Sequence, residues 1–139
     1  TARSALAGGG TQTAGIIFGG EAPGRRDETE TYDGSTWTEV GDLNTARYYL
    51  AGFGIQTAAL AAGGNTNTTP VAAVVTENFD GTSWTEVADL STARERLHGG
   101  GTNQSGVVMG GYVYSPSEAN TNATEEWSMV ASKETVAFD

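Results

Sequence analysis

Short apolar segments alternate with polar, glycine-rich stretches along the whole chain, and their lengths fit strands better than helices. The middle third shows this most clearly, because runs of small, β-branched and aromatic residues occupy 47–54, 57–62, 71–79 and 83–87. Asp80-Gly81, between the last two runs, matches a tight hairpin turn. No window offers apolar residues at helical spacing with caps. The pattern therefore predicts an all-β fold with four antiparallel strands in this unit.

The same unit occurs three times. Its opening tripeptide Thr-Ala-Arg begins at Thr1, Thr45 and Thr92, and a glycine pair follows each arginine after sixteen residues. Each pair stands where the second strand of its unit is expected to end. The paired glycines are Gly19, Gly20, Gly63, Gly64, Gly110 and Gly111.

The spacing of the copies indicates their architecture. Segments 33–47 and 80–94 differ at four of fifteen positions, and the copies recur after 44 and then 47 residues. A period of this length is typical of propeller blades. The predicted repeats are 1–44, 45–91 and 92–139.

Aromatic residues mark equivalent positions of the copies, and we interpret them as residues that pack the blades rather than as groups that stack on a ligand. The third-strand aromatics are Tyr32, Phe79 and Trp127, and tryptophans follow the first two five residues later at Trp37 and Trp84. No Asp-Gly turn follows Trp127. Because terminal repeats commonly differ from internal ones, we expect 128–139 to form a natural C-terminal cap that ends in a strand of different sequence.

The motifs taken together resemble kelch repeats over the entire chain. The resemblance is carried by an arginine, an apolar strand ending in Gly-Gly, an aromatic residue, an Asp-Gly turn and a tryptophan, in that order. It implies a kelch-type β-propeller with three four-stranded antiparallel blades. In such a fold, the first strand of each blade lines the central axis.

Three blades leave the outer faces of the first and last sheets bare, because propellers commonly close with about four to eight blades. We expect either a second copy of the chain to complete a six-bladed ring or a longer parent chain to supply further blades. A stacked, unclosed array is a third arrangement. Since the chain starts within the repeat phase, we interpret it as the excised or processed end of something longer.

Composition limits the partners and the chemistry. Seventeen acidic and seven basic residues give a net charge of −10, which would repel nucleic acid phosphates and anionic membrane surfaces. Cysteine is absent, which excludes disulfides, thiolate metal sites and cysteine nucleophiles. His98 is the single histidine, and we expect it to be structural or channel-facing. We expect no metal and no cofactor.

Arg3, Arg47 and Arg94 enter the first strand of each copy on the same face as the loops between strands two and three. In a closed ring they would form a circle of cations able to hold carboxylate or sulfate groups. The alternative is that each arginine pairs with an acid of its own or an adjacent copy, or bonds to loop carbonyls. Repetition in every copy favours this alternative. The acids available for pairing are Glu30, Glu77 and Glu125.

The loops at 21–27, 65–70 and 112–122 vary in length and sequence while the frame between them stays constant. Variable loops on a constant frame commonly carry binding specificity, and tyrosine, arginine and asparagine suit protein or glycan contacts. The open alternative is that they are merely tolerated surface loops. The candidate binding residues in these loops are Arg25, Arg26, Asn65, Asn67, Tyr112 and Tyr114.

Repetition also argues against catalysis, since an active site is normally built once from unlike residues. We expect a non-enzymatic structural or adhesion module that contacts protein or glycan through one loop face. The Thr-Glu-Val-x-Asp-Leu-x-Thr-Ala-Arg linkers are similar to kelch arrays of marine bacteriophage virion proteins and marine metagenome sequences, which implies a virion surface or tail-associated, extracellular setting. The alternatives are a carbohydrate-processing or oxidative enzyme domain, and a minimal or engineered repeat made for propeller assembly without a ligand.

Overall fold

The computed structural model describes residues 1–68 and 72–129 and the backbone of 136–138. Every regular element in these residues is a β-strand. None of them forms a helix long and apolar enough to cross a membrane. In chain order the strands are β1 Ala7–Thr11, β2 Ala14–Phe18, β3 Thr29–Tyr32, β4 Trp37–Glu39, β5 Ala51–Ile55, β6 Ala58–Ala62, β7 Thr76–Phe79, β8 Trp84–Glu86, β9 His98–Gly101, β10 Ser105–Met109, β11 Tyr112–Val113, β12 Ala119–Asn120, β13 Thr124–Ser128 and β14 Val136–Phe138.

Within the described residues, three four-stranded antiparallel sheets follow one another along the chain. Their strand orders are β1-β2-β3-β4, β5-β6-β7-β8 and β9-β10-β13-β14. The predicted all-β class and the four-stranded antiparallel unit are therefore confirmed. The number of blades in a closed ring stays a prediction.

The first strand of the second sheet starts later than the sequence pattern predicts. β5 begins at Ala51 rather than at 47, because Tyr49 adopts a φ of 55°, in the left-handed region that a strand does not tolerate. The equivalent residues Ala5 and Arg96 have φ values of 53° and 56°. Each repeat thus turns sharply just before its first strand.

The third and fourth strands of the second sheet are shorter than predicted. β7 covers Thr76–Phe79 rather than 71–79, and β8 covers Trp84–Glu86 rather than 83–87. Ahead of β7, the N–H of Ala73 donates to the carbonyl of Gly64 at 2.8 Å, so this segment bonds to the glycine-pair turn and not to β6. Residues 69–71, part of the predicted loop and strand, lie outside the described residues.

The third sheet keeps the register of the other two despite its different sequence. Trp127 on β13 pairs with Gly106 on β10, as Tyr32 pairs with Gly15 in the first sheet. This register gives Trp127 the position of Tyr32.

The end of the chain adds an outer strand to the third sheet. β14 pairs antiparallel with β13, so a final strand is present within the predicted cap at 128–139. Residues 130–135 and 139 of that cap lie outside the described residues. The short hairpin of β11 and β12, inside the 112–122 loop, was not anticipated from the sequence.

Aromatic side chains of one sheet rest on glycines of the next. A Cβ placed on Gly52 would lie 2.5 Å from Cζ of Phe18, and one on Gly99 would lie 2.5 Å from Cδ1 of Phe53. β1 packs beside β5, and β5 beside β9, so the first strands lie side by side in chain order. The larger buried side chains between the sheets are Ile16, Phe18, Leu43, Leu50, Phe79 and Trp84 in one cluster, and Phe53, Leu60, Leu90, Leu97 and Val108 in the other.

Candidate functional site

Each repeat arginine is buried and bonded to a glutamate on the third strand of its own sheet. Nη2 of Arg47 lies 3.0 Å from Oε1 of Glu77, and both side chains are completely buried. Nη1 of Arg47 donates to the carbonyl of Gly63 at 3.1 Å and also to that of Val75. The guanidinium therefore holds the end of β6 against the segment that leads into β7.

Arg94 and Arg3 repeat this arrangement. Nη2 of Arg94 lies 2.6 Å from Oε1 of Glu125, and its Nη1 donates to the carbonyl of Ala123 at 2.9 Å. Nη1 of Arg3 lies 2.7 Å from Oε1 of Glu30, and the Arg3 side chain is also buried. Of the two readings that the sequence left open, these side chains form the internal pairs, so none of the three arginines offers its charge to a ligand.

Burial also affects the charge of these arginines. It lowers the pKa of Arg47 to about 10, and the nearby carboxylate of Glu77 opposes the shift. It lowers the pKa of Arg94 in the same way, with Glu125 opposing. A pKa of about 10 leaves Arg47 charged at neutral pH, so the second sheet contains a true buried ion pair.

The two tryptophans at equivalent positions have different surroundings. Trp84 is 5% exposed, and its Nε1 donates to Oγ1 of Thr29 in the first sheet at 2.9 Å. Its ring meets that of Phe18 edge-on, with centroids 4.7 Å apart. Trp37 lies against Tyr32 of its own sheet at 5.0 Å but is 48% exposed. Trp84 therefore packs between sheets, whereas Trp37 faces the open side of the first sheet.

The glycine pairs have one backbone conformation in all three copies. The N–H of Gly20 donates to the carbonyl of Arg47 in the next sheet at 2.9 Å, and a Cβ on Gly19 would lie 2.7 Å from the same oxygen. The pair therefore both turns the chain and admits the neighbouring sheet. The φ values are 64° and 106° for Gly19 and Gly20, 62° and 104° for Gly63 and Gly64, and 66° and 112° for Gly110 and Gly111.

The first strands of the three sheets line an open groove of about 440 Å³. At its mouth, the residues with left-handed backbone bond to one another from sheet to sheet. The N–H of Tyr49 donates to the carbonyl of Ala5 at 2.9 Å, and that of Arg96 to the carbonyl of Tyr49 at 2.7 Å. The groove is lined by residues 5–7, 49–52 and 96–99, which are equivalent positions of the three copies.

His98 is exposed in this groove, where the other copies carry Ala7 and Ala51. No group of three histidine, aspartate or glutamate side chains that could hold a metal ion occurs in the part of the chain that the structure describes.

Arg96 and Glu95 connect the groove to the loops. Cζ of Arg96 lies 4.7 Å from the ring centroid of Tyr49, a cation–π distance, and its side chain is 61% exposed. Nε of Arg96 donates to Oε1 of buried Glu95 at 3.1 Å, and the hydroxyl of Tyr114 donates to the same oxygen at 3.1 Å. Nδ2 of Asn65 donates to the other oxygen. Glu95 thus fixes side chains from three separate segments.

Further tyrosines extend this surface. The rings of Tyr48 and Tyr49 lie 5.0 Å apart, and those of Tyr112 and Tyr114 lie 5.1 Å apart, edge to face. We call Tyr48, Tyr49, Arg96, Tyr112 and Tyr114 the tyrosine–arginine patch. Its four tyrosines are half-buried, so their rings are held in place while part of each stays accessible.

The patch hydroxyls are poor acids. Burial raises the pKa of Tyr114, and the hydrogen bond to Glu95 raises it further. Burial raises the pKa of Tyr112 likewise. The carboxylate of Glu118, which accepts a hydrogen bond from the Tyr112 hydroxyl at 3.2 Å, raises it further. Both hydroxyls therefore stay protonated at neutral pH.

The two predicted asparagines differ in access. Asn65 is 4% exposed, and its Oδ1 accepts from the N–H of Asn67 at 2.8 Å, so its role is to shape the loop. Asn67 is exposed, and its Oδ1 accepts from the hydroxyl of Tyr48 at 3.0 Å. Asn67 therefore stands at the rim of the patch, and Asn65 beneath it.

The two predicted arginines of the first loop donate to backbone carbonyls, one in the second loop and one within the first. Nη1 of exposed Arg25 donates to the carbonyl of Thr66 at 2.7 Å and ties the first loop to the second. Arg26 donates through Nε to the carbonyl of Ala22 at 2.6 Å, and its Nη1 lies 3.2 Å from Oε1 of Glu28. Arg25 adjoins the loop face, whereas Arg26 is held within its own loop.

Sequence reasoning missed Tyr48, Tyr49, Glu95 and Arg96. The available signal was the divergence right after the identical Thr-Ala-Arg, where the first copy carries Ser-Ala. Residues that differ between copies at one repeated position mark the place where a repeat protein can build a site that is present once.

No family model matches the chain, and no match is found among the curated proteins. The kelch resemblance therefore stays a prediction from the motifs. The evidence on function comes from the geometry of the patch and the groove.

Proposed function

We propose that this chain is a non-enzymatic binding module that holds a glycan on the tyrosine–arginine patch and in the adjoining groove. The observation that carries the proposal is the continuous chain of contacts from Tyr48 through Tyr49, Arg96 and Glu95 to Tyr114. These side chains differ from those at the equivalent positions of the other copies. A site built once, with convergent polar groups beside an apolar groove, is what specific ligand binding requires.

The chemistry of the patch suits a sugar. Tyrosine rings offer apolar faces to the C–H groups of a pyranose, and their hydroxyls bond to its oxygens. The guanidinium of Arg96 presents a fork of donors that matches neighbouring hydroxyls or a carboxylate. The groove volume of about 440 Å³ lies within the rough range of 300–1,000 Å³ for small-ligand sites. A concave site of this size favours a few sugar units over a flat protein surface.

We extend the proposal to the setting of the protein. The similarity of its linkers to phage kelch arrays supports a virion surface or tail-associated, extracellular role, in which the glycan belongs to the host. The net charge of −10 disfavours nucleic acid and anionic membranes as the alternative targets.

A glycan array with the intact chain, followed by calorimetry on the best ligand, tests this function. Tyr49→Ala and Arg96→Ala should each weaken binding by roughly 30-fold, the loss typical of a binding hot spot. Tyr32→Phe is the matched control, because Tyr32 lies outside the patch and the second copy carries phenylalanine at that position. Absence of glycan binding, or binding that is indifferent to both patch variants, would overturn the proposal.

The same preparation separates the rival functions. Turnover of the bound glycan, or copper retained by the purified chain in a metal analysis, would replace the proposal with an enzymatic function. A minimal or engineered repeat without a ligand would show neither binding nor turnover.

A further inference from the structure

Neighbouring sheets are joined by a backbone contact that repeats along the chain. The N–H of Gly20 donates to the carbonyl of Arg47 at 2.9 Å, and the N–H of Gly64 donates to the carbonyl of Arg94 at 3.0 Å. The equivalent donor in the third sheet is Gly111, and the described residues contain no fourth four-stranded sheet whose carbonyl could accept from it.

The second repeating contact is the series of backbone hydrogen bonds between the residues with left-handed backbone at the groove mouth. It runs from the N–H of Tyr49 to the carbonyl of Ala5, and from the N–H of Arg96 to the carbonyl of Tyr49. Its two ends are therefore the N–H of Ala5 and the carbonyl of Arg96. One end is a donor and the other an acceptor, so the ends are complementary.

The side-chain contacts between the first two sheets also have a direction, since a side chain of the second sheet reaches onto the first. Trp84 of the second sheet covers Phe18 and bonds to Thr29 of the first. In the third sheet, Met109 and Thr124 pair across β10 and β13 as Phe18 and Thr29 pair across β2 and β3. Met109 and Thr124 therefore form the equivalent socket for a tryptophan.

The tryptophan that fits this socket is at the opposite end of the chain. Trp37 holds the position of Trp84 in the first sheet. Trp37 is 48% exposed and Met109 is 42% exposed, against 5% for Trp84 and 0% for Phe18. The two large apolar side chains that a neighbouring sheet would cover are thus the ones left open.

We propose that a second copy of this chain docks head to tail on these faces. Trp37 of one copy rests on Met109 of the other and donates through Nε1 to Oγ1 of Thr124 in that other copy. At the same interface, the N–H of Gly111 in the other copy donates to the carbonyl of Arg3 in the first. The occupant is a second copy because the two open faces are the two halves of an interface that the chain already builds between its own sheets. When both contacts form, two copies close into one ring of six sheets.

This docking is independent of the glycan, but it changes the groove. Once the ring closes, the groove is walled by both copies and contains two sets of Tyr49, Arg96 and His98 around one axis. A ligand on the axis would then contact both copies.

The mass of the intact chain by size-exclusion chromatography with light scattering tests the docking. We expect a particle of twice the chain mass. Trp37→Lys and Met109→Glu should each raise the dissociation constant by roughly 30-fold or more, since each removes a central apolar anchor. Ile55→Lys is the control, because Ile55 is exposed at the end of β5 in the middle sheet and should not affect the mass.

A mixing experiment guards against variants that merely fail to fold. A mixture of the Trp37→Lys and Met109→Glu chains retains one native interface, and its other interface brings opposite charges together. The mixture should regain the two-chain mass that each variant alone has lost. A wild-type chain of single mass at all concentrations, as expected if a longer parent supplies the neighbouring blade, would overturn the proposal. Two variants that assemble like the wild type would overturn it equally.

Discussion

Nη2 of Arg47 lies 3.0 Å from Oε1 of Glu77 in the fully buried interior of the second sheet. The other oxygen of Glu77 accepts from the backbone N–H of Asn44 at 2.7 Å. One carboxylate therefore joins the third strand, the arginine ahead of the first strand and the linker from the preceding repeat. Since Glu77 lies 33 residues from Asn44 and 30 from Arg47, the carboxylate ties the third strand to the start of the same unit.

Glu77→Gln should lower the free energy of unfolding by about 3–5 kcal/mol, because it leaves the buried charge of Arg47 without its counter-ion. Urea unfolding measures the loss. Glu30→Gln is the matched variant in the first sheet and should cost less, since Glu30 is partly exposed and water can replace the lost charge. The double variant Arg47→Met, Glu77→Leu should lose less than Glu77→Gln alone. Equal losses for Glu77→Gln and Glu30→Gln would contradict this account of the pair.

Gly99→Ala should destabilise the chain by about 1–3 kcal/mol, because its new Cβ would press on the ring of Phe53 at 2.5 Å and force the sheets apart. Gly100 is adjacent on the same strand, and a Cβ there meets no heavy atom within 4 Å. Gly100→Ala should therefore be neutral or slightly stabilising. Thermal unfolding of both variants checks the difference. Similar midpoints would show that the aromatic–glycine contact does not hold the sheets together.

Acid should destabilise the fold through its two Asp-Gly turns. Hydrogen bonds, first that from the backbone N–H of Thr36 and then those from Ser35, hold the pKa of Asp33 well below its ordinary value. Hydrogen bonds from the backbone N–H groups of Ser83 and Thr82 lower the pKa of Asp80 in the same way. A folded-state pKa below the unfolded one adds stability that is complete above the unfolded value of about 3.9 and is lost as the pH falls below it.

Unfolding midpoints between pH 6 and pH 2.5 should therefore fall less steeply in the double variant Asp33→Asn, Asp80→Asn than in the wild type. Asparagine keeps the acceptor oxygen but has no proton to bind in this range. An unchanged acid slope in the double variant would assign the loss to other carboxylates.

Glu95→Gln should lower the pKa of the Tyr114 hydroxyl, because burial and the adjacent carboxylate together raise it in the native chain. Glu118→Gln is the matched control, since Glu118 acts on Tyr112 in the same manner and should move that pKa instead. Tyrosine resonances followed by NMR against pH resolve the two hydroxyls. If Glu95→Gln left Tyr114 unmoved, Glu95 would not be the group that organises the patch.

The sheets could be predicted because the repeated residues carry local instructions. Asp80-Gly81 specifies a hairpin, and the glycine pair at Gly63 and Gly64 ends a strand with a backbone that other residues rarely adopt. The internal pairing of Arg47 was one of two open readings, since a cation repeated in each copy fits either a pair or a ring. Only the burial of its side chain separates the two.

The patch could not be predicted because it depends on residues that the copies do not share. It also depends on a left-handed backbone conformation that these residue types do not indicate. Tyr49 and Arg96 are not glycines, yet both adopt left-handed backbone, and that turn brings Arg96 over the Tyr49 ring. The different exposure of Trp37 and Trp84 could not be predicted from their local sequences either, since these are nearly the same. Position along the chain, not local sequence, decides which tryptophan is covered.

The amide hydrogen exchange of Gly111 tests the central claim that the open ends of this chain are two halves of one interface. Gly20 and Gly64 donate to the next sheet within the chain, so their amides provide internal references for a protected site. The account predicts that Gly111 is protected like Gly20 and Gly64 in the wild-type chain and exchanges freely in Trp37→Lys. Free exchange at Gly111 in the wild type, at concentrations where Gly20 and Gly64 are protected, would contradict it.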